Sequence, residues 1–361
     1  MRTVSGILMI LLGFIVPVGM VLSFTPIAYA QLTLSGESSD LSIIVSPNAP
    51  APGATVNLSV ESSILDTTDS TITWYRGNTV IATGIGASTA SVTLGALGTE
   101  TDVSVRLQTP DGTTAASTIA IIPTEVDLLI DSDSYVPPFY KGRALPSAGT
   151  SLRLQAIAHL KRPGGSIVPA SDIIYTWKQN GRVVGNVSGR GKASVILPSP
   201  TLYGRSVIEV DVSSSDNTLS GSASITIPST EPVLTLYEDS PLLGITYYRA
   251  LGAQTAIPDT EMTFAAVPYF AQIASPNDQR LAYAWTVNGS PVRASASDPS
   301  EVTLNASKSN GDATVGLGIT HSTNIYLSEN GSWSIMLGNA GSSGFSGTSA
   351  SAKDPFSGQG Q

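Results

Sequence analysis

The chain has 361 residues, of which only 12% are charged, and its formal net charge is -9. This acidic balance argues against nucleic acid or an anionic membrane surface as a partner, because both require clustered positive charge. The absence of cysteine excludes a disulfide-stabilised scaffold. The length predicts two to three domains, and the low charge content favours strands and turns over long surface helices.

The N-terminal residues predict an export signal. Arg2 precedes an uncharged stretch, residues 6–30, that is long enough to cross a bilayer. Small residues at both ends of 28–30 form a signal-peptidase site, so Gln31 is the predicted mature start. Pro17 within the stretch favours cleavage, and a retained membrane anchor is the alternative. We therefore expect the protein at the cell surface or outside the cell.

Alternating apolar and polar residues predict a series of short strands after the export segment. In the first unit these strands lie at 41–45, at 56–60, around Trp74, at 92–94, at 103–107 and at 119–121. Prolines and glycines between them predict turns rather than continuous strands.

One pattern then occurs three times: a tryptophan in an alternating run, followed by an Asn/Gly turn. The copies are Trp74 before Gly77-Asn78, Trp177 before Asn180-Gly181, and Trp285 before Asn288-Gly289. The tryptophans lie 103 and 108 residues apart, about the size of one small β-sandwich. The remaining strands follow each tryptophan in the same order, and the alternation predicts that all three tryptophans point into a core.

These units resemble bacterial immunoglobulin-like or PKD-like repeat domains of exported surface proteins. The aromatic-x-Trp runs at 175–177 and 283–285, each followed by Asn-Gly, carry the resemblance, which covers about 31–340. The motifs are short, and the paired cysteines of antibody-type domains are missing. The resemblance implies an all-β protein of three tandem antiparallel immunoglobulin-like β-sandwiches and an exported, adhesive or pilus-associated role.

The predicted domain limits follow from the repeats. Signal or anchor residues 1–30 precede sandwiches at 31–124, 125–229 and 230–340. Residues 341–361 are rich in Gly and Ser, cannot bury enough apolar surface to fold, and are predicted to form a disordered tail.

A second match joins the second and third units only. Asp133-Ser134 and Asp239-Ser240 lie 106 residues apart, as do residues 143–145 and 249–251. Aromatic residues accompany both copies, with Tyr140 in one and Tyr247 and Tyr248 in the other. Such rings either contact a partner or pack between consecutive domains, so these three tyrosines are candidate partner contacts.

Acidic residues near the unit boundaries are weak calcium candidates. They are Asp131, Asp133, Glu238 and Asp239. Calcium takes six to eight oxygen ligands, and no complete ligand loop is present, so solvated surface acids are the alternative interpretation.

Reaction chemistry is not indicated by the sequence. The two histidines, His159 and His321, follow alternating strands and are predicted at the surface, which gives no nucleophile–base–acid arrangement. We therefore expect no catalytic and no cofactor-binding residues.

The sequence predicts a non-enzymatic, exported interaction protein, either an adhesin or a component of a surface appendage. Its expected partners are other surface proteins or glycans, and its oligomeric state is left open. The alternatives are an accessory carbohydrate-binding protein, an enzyme that uses an unrecognised acid pair such as Asp131 and Asp133, and a structural cell-envelope spacer.

Overall fold

A computed structural model describes residues 41–252, 254–257, 261–307 and 309–337. The predicted export segment and the predicted disordered tail lie outside these ranges. The described residues form strands arranged in six sheets, with two short 3-10 turns and no α-helix. Within them, no helix is long and apolar enough to cross a membrane.

Sandwich 1 consists of two facing sheets built from seven strands. The strands are β1 (Leu41–Ser46), β2 (Thr55–Ser62), β3 (Thr71–Arg76), β4 (Thr79–Ile85), β5 (Thr89–Thr93), β6 (Thr101–Gln108) and β7 (Thr114–Ile121). One sheet has the order β1-β2-β5 and the other β4-β3-β6-β7. This division of strands between two antiparallel sheets is the immunoglobulin-like arrangement.

Sandwich 2 repeats this division. Its strands are β8 (Glu125–Ser132), β9 (Ser151–His159), β10 (Ile173–Gln179), β11 (Arg182–Val183), β12 (Gly189–Arg190), β13 (Ser194–Pro198), β14 (Arg205–Ser214) and β15 (Ser220–Pro228). The sheets have the orders β13-β9-β8 and β11-β10-β14-β15, with β12 also pairing with β10.

Sandwich 3 has the same plan with larger sheets. Its strands are β16 (Val233–Ser240), β17 (Gly244–Ala250), β18 (Gln254–Ala256), β19 (Glu261–Tyr269), β20 (Leu281–Val287), β21 (Ser290–Pro291), β22 (Glu301–Asn305), β23 (Gly311–His321) and β24 (Ser328–Leu337). The sheets have the orders β17-β16-β19-β22 and β18-β24-β23-β20-β21. The β18–β24 pair is parallel, whereas the other strand pairs of this sandwich are antiparallel.

Each sandwich has its own apolar core around one repeated tryptophan, as predicted. Trp74, Trp177 and Trp285 are at most 2% exposed. Their indole Nε1–H groups donate to the backbone carbonyls of Ala87, Lys192 and Pro299 at 2.9, 2.9 and 3.0 Å. Because burying an indole N–H without a partner is unfavourable, the same bond recurs in all three sandwiches.

The Asn/Gly turns also recur, and in two sandwiches the asparagine side chain links two strands. Asn180 and Asn288 adopt left-handed backbone conformations, with φ of 52° and 49°. Their Oδ1 atoms accept the backbone N–H of Val207 at 2.9 Å and of Thr314 at 2.8 Å. In sandwich 1 Gly77 occupies the left-handed position and has no side chain for this bond.

Candidate interaction surface

The segment between β8 and β9, residues 133–150, leaves sandwich 2 and lies against sandwich 3; we call it the covering segment. The N–H of Tyr135 donates to the carbonyl of Ala271 at 2.9 Å, and the N–H of Phe270 donates to the carbonyl of Tyr135 at 2.7 Å. Ser147 Oγ donates to the carbonyl of Phe270 at 2.5 Å. These bonds fix the covering segment at the end of β19.

An aromatic cluster forms beneath the covering segment, separate from the core of sandwich 3. Tyr237 and Tyr269 of sandwich 3 are buried in it, and Tyr135 and Tyr140 of the covering segment pack on them. The Tyr140 ring meets the Tyr269 ring edge-on, with centroids 5.6 Å apart, and the hydroxyls of Tyr237 and Tyr269 are 2.5 Å apart. The covering segment thereby buries part of the outer face of the β17-β16-β19-β22 sheet, around Tyr237, Val267 and Tyr269, while the inner face packs in the core.

Burial raises the pKa of several tyrosines in this cluster. Desolvation is the main cause that raises the pKa of Tyr135 and of Tyr247, whose side chains are hydrogen-bonded to each other. Neutral phenols can pack and share hydrogen bonds in an apolar site, whereas an ionised phenol would be strongly disfavoured. The arrangement suits a permanent contact between sandwiches 2 and 3.

A second set of hydrogen bonds connects the same two sandwiches through the loop after β23. Asn324 Nδ2 donates to the carbonyl of Ala148 in the covering segment at 2.8 Å and to Gln272 Oε1 at 2.9 Å. The N–H of Asn324 donates to His321 Nδ1 at 2.9 Å. The surface location predicted for His321 is therefore wrong, because the residue is only 7% exposed and orders this loop.

The other histidine lies at the surface, as predicted, and is half-exposed at the end of β9. His159 Nε2 is 3.6 Å from Asp127 Oδ2 on the neighbouring strand, and both side chains are about half exposed. This contact between two half-exposed side chains provides no nucleophile and no enclosed pocket.

Four large apolar side chains of the two matched segments point into solvent. Phe139 of the covering segment is 93% exposed, and Leu242, Leu243 and Tyr248 of the β16–β17 region are 94%, 74% and 81% exposed. Phe139 also has a φ of 64°, a left-handed conformation that is strained for a bulky residue. These four residues are the candidate contact residues of the chain.

The three candidate tyrosines therefore separate into two groups. Tyr140 and Tyr247 are part of the aromatic cluster, whereas Tyr248 is exposed. The aromatic residues of the matched segments pointed to Phe139 as well, but the sequence did not indicate Leu242 or Leu243. A weak signal existed, because Leu242 and Leu243 are adjacent apolar residues that fit no alternating strand pattern.

Two of the four calcium candidates have protein partners for their carboxylates. Asp131 Oδ2 is 2.9 Å from Arg153 Nη2, and Asp133 Oδ1 accepts the N–H of Ser151 at 2.7 Å. Glu238 and Asp239 lie on β16, which pairs with β19. Among the described residues, no three His, Cys, Asp or Glu side chains are grouped so that they could hold a metal ion.

Neither a protein family nor a curated protein sequence matches this chain. Solved structures similar to it include fibronectin(III)-like modules of Clostridium thermocellum CbhA, at 18% identity over 52% of this chain and 94% of that one, with a TM-score of 0.25. The three N-terminal domains of the bacteriophage RB49 highly immunogenic outer capsid protein match at 14% identity over 83% and 99%, with a TM-score of 0.22. Bacteroides ovatus SGBP-B in complex with a mixed-linkage heptasaccharide matches at 13% identity over 84% and 72%, with a TM-score of 0.23. At these scores the fold assignment rests on the strand order and cores described above.

Proposed function

We propose that this chain is a non-enzymatic interaction protein, displayed at the cell surface or outside the cell as an adhesin or a surface-appendage component. The observation that carries the proposal is the exposure of Phe139, Leu242, Leu243 and Tyr248, large apolar side chains that the aromatic cluster does not bury. Apolar anchors on a fixed scaffold lose little conformational entropy on binding, which favours their use as contact residues.

A binding assay tests this surface. The purified chain is immobilised and presented with two probes: the solubilised envelope fraction of the producing cells and a glycan array. The variant Leu242→Ser/Leu243→Ser/Tyr248→Ser is expected to bind at least about tenfold more weakly, because the loss of desolvated anchors commonly costs more than about 1 kcal/mol each. Unchanged binding by a folded triple variant would contradict the proposal.

The matched control changes an exposed residue outside the proposed surface. Ile325 is 84% exposed, and Ile325→Ser is expected to bind like the unmodified chain. The two probes separate the classes of partner, because retention on the glycan array alone identifies a carbohydrate-binding protein. Protease shaving of intact cells tests the location, and protection of the chain in intact cells would count against surface display.

A structural spacer is the second candidate function, and the hydrogen-bonded junction between sandwiches 2 and 3 favours it. A spacer depends on the fixed orientation of its domains and not on exposed anchors. If the chain is a spacer, the Leu242→Ser/Leu243→Ser/Tyr248→Ser variant should still replace the unmodified chain in cells. A variant that weakens the junction between sandwiches 2 and 3, such as Gly149→Ala, should not.

A further inference from the structure

Strand β4 of sandwich 1 is an open edge. It pairs with β3 on one side and, within the described residues, with no strand on the other. The equivalent strands of the other sandwiches, β11 and β21, have two residues each, whereas β4 has seven. Proteins usually shorten or charge such edges, because unpaired backbone N–H and C=O groups recruit further strands. Sandwich 1 therefore lacks the short edge strand that limits strand addition at this edge in sandwiches 2 and 3.

The side chains of β4 are also unprotected. Val80, Thr83 and Ile85 lie opposite Tyr75, Thr73 and Thr71 of β3, and Val80 and Ile85 are 50% and 75% exposed. No charged residue occurs between positions 77 and 99. One irregularity is present at Ile81, which has no partner residue on β3, while pairing from Ala82 to Ile85 is regular.

A groove of about 580 Å³ lies beside this edge. Its lining includes Ile81 and Ala82 of β4 and Ala90 and Ser91 of β5, and it contains no charged residue. An incoming strand would therefore meet backbone groups along β4 and an uncharged surface beside it. These are the requirements for strand addition to a sheet edge.

We propose that β4 pairs antiparallel with β4 of a second copy of this chain, so that the two four-stranded sheets become continuous. Two-fold antiparallel pairing sets the neutral side chains of β4 opposite neutral side chains of β4 in the other copy and brings no like charges together along the strand, even though the chain has a net charge of -9. The exposed Val80 and Ile85 of both copies then form apolar cross-strand neighbours. This pairing is independent of the proposed binding surface on sandwiches 2 and 3.

Charge-swap variants of the full chain test the pairing by sedimentation over a range of concentrations. Val80→Lys/Ile85→Lys alone and Val80→Glu/Ile85→Glu alone should each dissociate at concentrations at least about tenfold higher than the unmodified chain, because like charges then face each other across the two-fold axis. An equimolar mixture of the two variants should recover association. The matched control is Val183→Lys, an exposed residue on the two-residue strand β11, which should associate like the unmodified chain.

The absence of cysteine permits a second measurement. Single-cysteine variants at Val80, Thr83 and Ile85 are oxidised mildly, alone and in pairwise mixtures. The combination of positions that forms a disulfide-linked dimer defines the register, because a two-fold antiparallel pair sets a residue opposite its own copy only at the axis. A chain that is monomeric at every concentration overturns the proposal. So does association that is unaffected by the lysine variant or not restored in the mixture. Capture of the edge by another protein, with no self-association, overturns the choice of a second copy.

Discussion

At the scale of single residues, the repeated tryptophans do more than fill the cores. Each indole donates to a backbone carbonyl that precedes the next strand of the opposite sheet, and this bond connects the two sheets. The alternating pattern indicated that the rings point inward, but it carried no information about the partner of Nε1. That partner lies 13 to 15 residues downstream in a loop, where periodicity does not apply.

Trp285→Phe should lower the free energy of unfolding of sandwich 3 by about 1–3 kcal/mol, because the carbonyl of Pro299 loses its donor in a partly buried site. Trp333 provides the control, since it is also buried in this core and donates no such bond among the described residues. Trp333→Phe removes the same volume and should have a smaller effect in urea unfolding. Equal losses would show that volume, and not the hydrogen bond, determines the stability.

His321 should make sandwich 3 sensitive to acid. Its Nδ1 accepts the N–H groups of Thr323 and Asn324, so a proton on Nδ1 would break both bonds. Burial, helped by the nearby Arg280, lowers the pKa of His321. The folded state therefore binds this proton less readily than the unfolded state, whose value is about 6.5. Its contribution to stability is complete above that value and is lost as the pH falls through the folded-state pKa.

The measurement is the unfolding midpoint between about pH 8 and about pH 5, the range in which histidine titrates. His321→Asn retains an acceptor near the position of Nδ1 but cannot titrate, so its midpoint should change less with pH. His159→Asn removes the half-exposed histidine and serves as the comparison variant. Identical profiles for all three proteins would rule out His321 as the cause.

At the scale of elements, one matched sequence adopts two structures. In sandwich 2 residues 133–150 cross to the neighbouring sandwich, whereas in sandwich 3 the matching residues fold back as β17 on their own sheet. The sequence match predicted that the segments are related. It could not predict their different paths, because the choice depends on contacts distant in sequence, such as that between Tyr135 and Ala271.

Gly149 is required where the covering segment passes the loop after β23. Its φ is 93°, and a Cβ there would lie 2.5 Å from Asn324 Nδ2 and 2.7 Å from Gln272 Oε1. Gly164 is the control: its φ is 90°, but nothing lies within 4 Å of its Cβ position. Substitution there adds only the strain of the left-handed backbone. Gly164→Ala should cost about 1–2 kcal/mol and Gly149→Ala clearly more, measured as thermal unfolding. Equal costs would mean that the junction tolerates the added methyl group.

Substitutions of Tyr140 and Tyr248 compare a packed tyrosine with an exposed one on the matched segments. Tyr140→Ala removes edge-on contacts with Tyr269 and Phe270 and should destabilise the protein by about 2 kcal/mol. Tyr248→Ala changes an exposed side chain and should remain within about 0.5 kcal/mol of the unmodified chain. A large loss on changing Tyr248 would show that its ring packs in solution.

At the scale of the whole molecule, the two junctions differ in strength. Sandwiches 1 and 2 are bridged at Thr124, whose N–H donates to the carbonyl of Pro50 at 3.1 Å and whose Oγ1 donates to the carbonyl of Ser220 at 2.7 Å. Sandwiches 2 and 3 share the aromatic cluster and the bonds of the covering segment. The repeats in the sequence predicted the three sandwiches but not this asymmetry. The sequence showed that the first unit lacks the segment that the second and third units share, but it did not show that this segment forms the junction between sandwiches 2 and 3.

The asymmetry predicts two cooperative units: sandwich 1 alone, and sandwiches 2 and 3 together. Trp177→Ala should destabilise sandwich 2 by about 3–5 kcal/mol. It should also lower the unfolding temperature of sandwich 3, because the unfolding of sandwich 2 removes the covering segment and exposes the aromatic cluster on sandwich 3. Calorimetry should then show one transition shifted and the sandwich 1 transition unchanged. Combining the change with Gly149→Ala should uncouple sandwiches 2 and 3 and split the shifted transition. Three independent transitions in the unmodified chain would mean that the covering segment holds the sandwiches in contact without coupling their folding.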